Sequence, residues 1–149
     1  MDSTFSKSPA LDRALAVFAA INSGDLSCLD DAVTPDFVDH GSPVPLPPGP
    51  AGYRQILTLV HRVLGIRYTI EDAFACEDRV VVRAIARGVG LDPVHGPGSA
   101  GKTYEMQTVH IYRVTPDGRL AEHWGVRDEL AARIQLGTVP PPDLAAATN

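Results

Sequence analysis

Apolar positions in the first third of the chain recur at helical spacing. In "SPALDRALAVFAAINSGD", Leu11, Leu15 and Phe18 share a face with Ala14, Val17 and Ile21 beside them, which predicts a helix with one buried side. Ser8 is placed to cap it, Pro9 to take the first helical position and Gly24 to stop it. "DLSCLDDAVT" predicts a second, short helix ending before Pro35, and "DFVDH" a brief strand. Five prolines in "GSPVPLPPGPAG" remove backbone donors and predict a loop. Beyond it, Tyr53, Ile56, Leu57, Val60 and Leu64 return to helical spacing, and Gly65 closes a third helix.

The second half changes period. "IRYTIEDAFA", "DRVVVRAIARGVG", "TYEMQTVHIYRV" and "RLAEHWGVRD" are rich in β-branched and aromatic residues without a helical stripe, and the last three are expected to form a meander. Asp117-Gly118 supplies a tight reversal, and "ELAARIQLG" a closing helix ending at Gly137. The expectation is one α+β domain over residues 8–137, with flexible tails at 1–7 and 138–149. Three N-terminal helices would pack on one face of a curved, mainly antiparallel sheet. Such a sheet curls into a cone whose opening suits a small molecule.

Composition narrows the function. The 149 residues, 44% hydrophobic and 21% charged, fit one soluble domain, and no apolar run approaches the ~18–20 residues of a membrane span. "MDSTFSKSPA" has no apolar core, so a cytoplasmic protein is expected. A net charge of −5 with scattered Lys and Arg argues against nucleic acid. Cys28 and Cys76 lack metal spacing and read as reduced thiols, and no metal is expected.

"GPGSAGKT", Gly96 to Thr103, satisfies the pattern of a phosphate-binding loop. That loop works only when it opens into a helix, whose N-terminus supplies much of the anion site. Here a strand-like run follows, so the segment is expected to join a hairpin and no nucleotide cofactor is expected.

The order of elements, with "TPDFVDHGSP", "GPAGYRQIL", "EDRVVVRAIARGVG" and "TPDGRLAEHWGVRDELAARIQLG", resembles the SnoaL-like polyketide cyclase and ester cyclase family of the nuclear-transport-factor-2-like cone fold. The resemblance spans Leu11 to Gly137. It implies a cofactor-independent enzyme doing acid/base chemistry, whether cyclisation, isomerisation or hydration, on a polyketide-like carbonyl substrate. A non-catalytic ligand-binding or dimerisation module and an epoxide hydrolase are the alternatives in the same fold.

The candidate catalytic residues are Asp39, His123 and Asp128. Asp39 is the nearest match to the carboxylate of the distantly similar ketosteroid isomerases, and half-burial would raise its pKa; capping the turn "DHGSP" is its other reading. His123 stands where the aldol cyclases of the family carry an aspartate, and an imidazole exchanges protons near neutrality. Asp128 follows five residues on, and capping the closing helix is its favoured other reading. His40, Gln107, His110, Trp124, Tyr53 and Phe37 are candidates for substrate binding. Strand alternation allows only one of Gln107 and His110 to face inward, with Gln107 favoured. Strands apolar on both parities, such as "TVHIYRV", predict a homodimer through the outer sheet face.

Overall fold

The computed structural model describes residues 8–148. Helix α1 (Pro9–Ser23) buries Leu11, Ala14, Val17, Phe18 and Ile21, the stripe its spacing dictates. The Leu11 N–H meets the Ser8 hydroxyl at 3.5 Å, and Gly24 ends the helix in the left-handed conformation at φ 83°. Helix α2 is shorter than expected, Leu29–Ala32, because the chain is already extended at Val33. Strand β1 therefore runs Val33–Asp39 and includes Pro35. A proline is tolerated there because β1 lies at an edge of the sheet.

Helix α3 (Gly49–Thr58) continues into a π-helical turn, Leu59–Val63, before Gly65. Strands β2 (Arg67–Cys76), β3 (Arg79–Val89), β4 (Thr103–Val114) and β5 (Leu120–Arg127) then follow. Each pairs antiparallel with the next, so the meander has one strand more than expected. β1 returns beside β5 in parallel, giving one open sheet in the order β1-β5-β4-β3-β2. Helix α5 (Glu129–Leu136) closes the domain against β4, and α1 and α3 cover the inner sheet face.

Strict alternation along β4 makes the inner face. Tyr104, Met106, Thr108, His110 and Tyr112 are buried, whereas Glu105, Gln107 and Val109 are exposed. Phe18, Val17, Phe37, Val80, Val82 and Tyr112 meet in the main core. At about 1.5–3 kcal/mol for a fully buried large apolar side chain, this layer ties the helices to the sheet.

The phosphate-loop pattern lies in the β3–β4 connection, with helix α4 (Asp92–His95) before it and strand β4 starting at Thr103. The Lys102 ammonium donates to the Leu136 carbonyl at 3.2 Å, an orphan acceptor at the end of α5. Its charge is used there, in keeping with the hairpin reading.

Candidate active site

The parallel pairing of β1 with β5 builds the site. It sets Asp39 opposite His123 in register, and alternation turns Phe37 and Asp39 inward with Ala121, His123, Gly125 and Arg127 of β5. The His123 Nδ1–H donates to Asp39 Oδ1 at 2.7 Å, and both side chains are buried, at 8% and 6% exposure. The same Oδ1 accepts the Gly41 N–H at 2.8 Å. On the far side of the ring, His123 Nε2 lies 3.0 Å from His110 Nδ1, with the two imidazoles only 14° from parallel. Asp39, His123 and His110 thus form one hydrogen-bonded line. Its last atom, His110 Nε2, is buried and has no partner among the described residues.

Glycine makes the line close-packed. Gly125 pairs with His110 across the ladder, and a methyl there would lie 3.1 Å from His123 Cε1 and 3.4 Å from His110 Nδ1. A side chain at 125 would wedge between the rings.

The line borders a cavity of about 80 Å³ walled by Ile56, Leu57, Val60 and Leu64, with Tyr53, Tyr68 and Tyr112 at its polar side. The Tyr53 and Tyr112 hydroxyls are 2.8 Å apart. One proton makes that bond, so the second is left to donate elsewhere. A second chamber of about 70 Å³, under α4 and α5, shares Leu64 and Arg127 with the first. A wider depression of about 590 Å³ between Pro9 and the β4–β5 turn is open to solvent and contains no histidine.

Electrostatics corrects the expectation of a raised Asp39. Burial pushes its carboxyl up, but the hydrogen bond and charge of His123, the Gly41 N–H and Arg127 outweigh it, leaving Asp39 below the ordinary value. Burial, helped by the nearby charges of His123 and Arg127, brings His110 down to about 3, so it is a neutral imidazole. Burial likewise raises Tyr53 and Tyr112, which remain hydroxyl donors.

The structure brings Asp39, His123, His110 and Tyr53 to one cavity and takes the other candidates elsewhere. Gln107 is exposed on the outer face and His110 faces in, the reverse of the favoured orientation. His40 and Trp124 also lie outside, stacked at 5.0 Å, and His40 pairs with Glu122 at 3.0 Å. Phe37 is buried in the core against the Tyr53 ring. The exposed Asp128 caps α5, accepting the Ala131 N–H at 3.0 Å. Sequence reasoning passed over Tyr112 and Arg127. Both carry a signal: they share parity with His110 and with His123 and Gly125, respectively.

An open five-stranded sheet with α1 and α3 packed on its inner face and a pocket between them defines a fold of the nuclear-transport-factor-2-like kind. The chain belongs to the SnoaL-like polyketide cyclase family, whose sequence model matches residues 11–136. Its structure is similar to TsrD from Streptomyces laurentii at 24% identity and TM-score 0.74, over 88% of this chain and 96% of that one. IdmH from Streptomyces antibioticus is 29% identical with TM-score 0.72, covering 88% and 99%. An LEH-like epoxide hydrolase from M. tuberculosis shares the fold at 16% identity and TM-score 0.66, over 86% and 89%. No curated protein matches the sequence significantly.

Proposed function

We propose that this chain catalyses proton transfer on a carbonyl-bearing, polyketide-like small molecule, with the imidazole pair exchanging the proton and Asp39 positioning it. The observation that carries the reading is the 2.7 Å contact between Asp39 and His123 inside the cavity. A binding module of the same fold would be expected to plug that space with apolar side chains, since buried polar groups are costly unless used.

The geometry suits a relay. Ionised Asp39 holds the His123 proton on Nδ1, so the Nε2 lone pair accepts the His110 Nδ1–H. A substrate proton taken by His110 Nε2 displaces the Nδ1 proton to His123. The positive charge then rests on His123, against the Asp39 carboxylate, and the low basicity of His110 does not oppose the transfer. The spare hydroxyl proton of the Tyr53–Tyr112 pair stabilises the enolate oxygen. His110 Nε2 is closed to solvent, with the Phe18 and Tyr68 rings edge-on to the imidazole, so a substrate reaching it has to move a neighbouring side chain. Loss of the α-proton prepares a substrate for isomerisation or aldol cyclisation alike.

The test is deuterium exchange at the α-carbon of a panel of aryl ketones and β-dicarbonyl compounds, followed by NMR. His123→Ala, which breaks the relay, and Asp39→Asn, which leaves the charge on His123 unanswered, should each lower the enzyme-dependent rate at least about a hundredfold. Full activity in both variants would remove the assignment.

We also propose a homodimer through the outer sheet face. Phe74, Val81, Ile111 and Trp124 are partners in register across four strands, and Val109 with Val126 forms a second row. Five of these six are exposed, Val126 to 73%. A contiguous apolar patch of this kind marks an interaction surface.

A further inference from the structure

The cavity wall holds a cation with no carboxylate paired to it among the described residues. Arg54, Arg79, Arg83, Arg87, Arg113 and Arg119 each meet a carboxylate on the surface. Arg13, Arg62, Arg67, Arg127 and Arg133 form no such pair among the described residues, and of these Arg127 is half-buried, faces inward from the end of β5 and lines both chambers. Among the described residues its guanidinium reaches the Gly41 carbonyl through Nη2 at 3.4 Å, and no carboxylate forms an ion pair with it. A guanidinium carries five N–H donors in a fork that matches a carboxylate, and withdrawing it from water without a partner is costly.

Its place in the fold gives that cost a use. Arg127 lies four residues beyond His123 on the same strand face and walls both the apolar cavity and the chamber under α5. Its charge is felt by Asp39 and by His110, so it stands within electrostatic reach of the proton line. Two carboxylates are nearby and neither takes it. Asp39 spends its Oδ1 on His123 and on the Gly41 N–H. Glu129 borders the second chamber and sits in the first turn of α5, where the helix N-terminus favours its charge.

We infer that the substrate is an organic anion: a carboxylate seated on the Arg127 guanidinium at the partition between the two chambers, with its apolar body in the cavity beside His110 and His123. The inference deepens the acid/base reading by naming what holds the substrate, and it rests on the same cavity. A fixed charge at one end would orient the reacting carbon toward the imidazoles. It would also reject neutral compounds of the same shape.

The experiment is calorimetric titration of the full chain, in a buffer free of carboxylate and phosphate, with trans-cinnamate and with trans-cinnamamide. The two probes share a flat apolar body and differ in charge. Wild type should bind cinnamate at least about tenfold more tightly than the amide, the scale of a charge-assisted pair. Arg127→Gln should erase the preference, and Arg127→Lys, which keeps the charge and loses the fork, should retain part of it. His123→Ala should keep the preference while losing proton exchange, so the binding claim and the catalytic claim fail separately. Equal affinity for the two probes, no cinnamate binding at millimolar concentration, or a preference intact in Arg127→Gln would each overturn the inference.

Discussion

Replacing His110 tests the buried line through stability alone, with no substrate. In the folded protein burial brings this imidazole down to about 3, against 6.5 for an ordinary histidine. Between those values the unfolded chain binds a proton that the folded chain refuses. Stability from this residue is therefore fully present above about pH 6.5 and is lost as pH falls toward 3. At pH 4.5 the unfolded side chain is roughly hundredfold protonated and the folded one hardly at all, which amounts to about 3 kcal/mol lost relative to pH 7.5. Asp39, lowered from 3.8, contributes stability that disappears only below that value, outside this window.

Two variants separate the titration from the packing. His110→Asn keeps a polar atom near His123 Nε2, and His110→Phe keeps a ring against Phe18, whose centroid lies 4.9 Å from the imidazole. Each will cost something at pH 7.5, the asparagine through an underfilled site and the phenylalanine through an unpaired His123 nitrogen. Their difference from wild type should nevertheless shrink by about 3 kcal/mol on going to pH 4.5 in urea unfolding. If both variants lose stability with acid as steeply as wild type, His110 is not the buried neutral imidazole described above.

Two further expectations concern the glycine beside the line and the outer face. Gly125→Ala should push the two imidazoles apart and lower proton exchange at least about tenfold while the domain stays folded, since its Cβ would lie 3.1–3.4 Å from both rings; histidine ¹⁵N shifts identical to wild type would contradict it. Val126→Lys, on the exposed row beside Val109, should convert the proposed dimer to monomer by light scattering without loss of helix content, and an unchanged mass would place the interface elsewhere.

Local periodicity made the helices and the meander legible. The stripe of α1 and the alternation of β3 and β4 are written in consecutive residues. The α2–β1 boundary was displaced because Pro35 reads as a break, whereas an edge strand has no ladder partner for the missing N–H to disappoint. The inward parity of β4 is also readable in the sequence, although the expectation of an inward Gln107 runs against it. Glu105, Gln107 and Arg113 share one parity, which charge marks as the outer side, leaving His110 on the other with Met106 and Tyr112. The Asp39–His123 contact was beyond any local pattern. It joins residues 84 apart through a parallel pairing that has no turn to announce it. Arg127 escaped because a charged residue at a strand end ordinarily reads as solvated.

The same edge position has a consequence for how the protein lives and fails. β1 is held to β5 by a short, irregular register, with a shift between Val33 and Val38, whereas β3 and β4 are bonded along their whole length. Opening free energy is lowest where a segment has the fewest such ties. Asp39 should therefore detach from His123 in sub-global fluctuations that leave the meander and its amide protection intact. Heat or mild denaturant would part this contact first, while spectroscopy still reported a native meander.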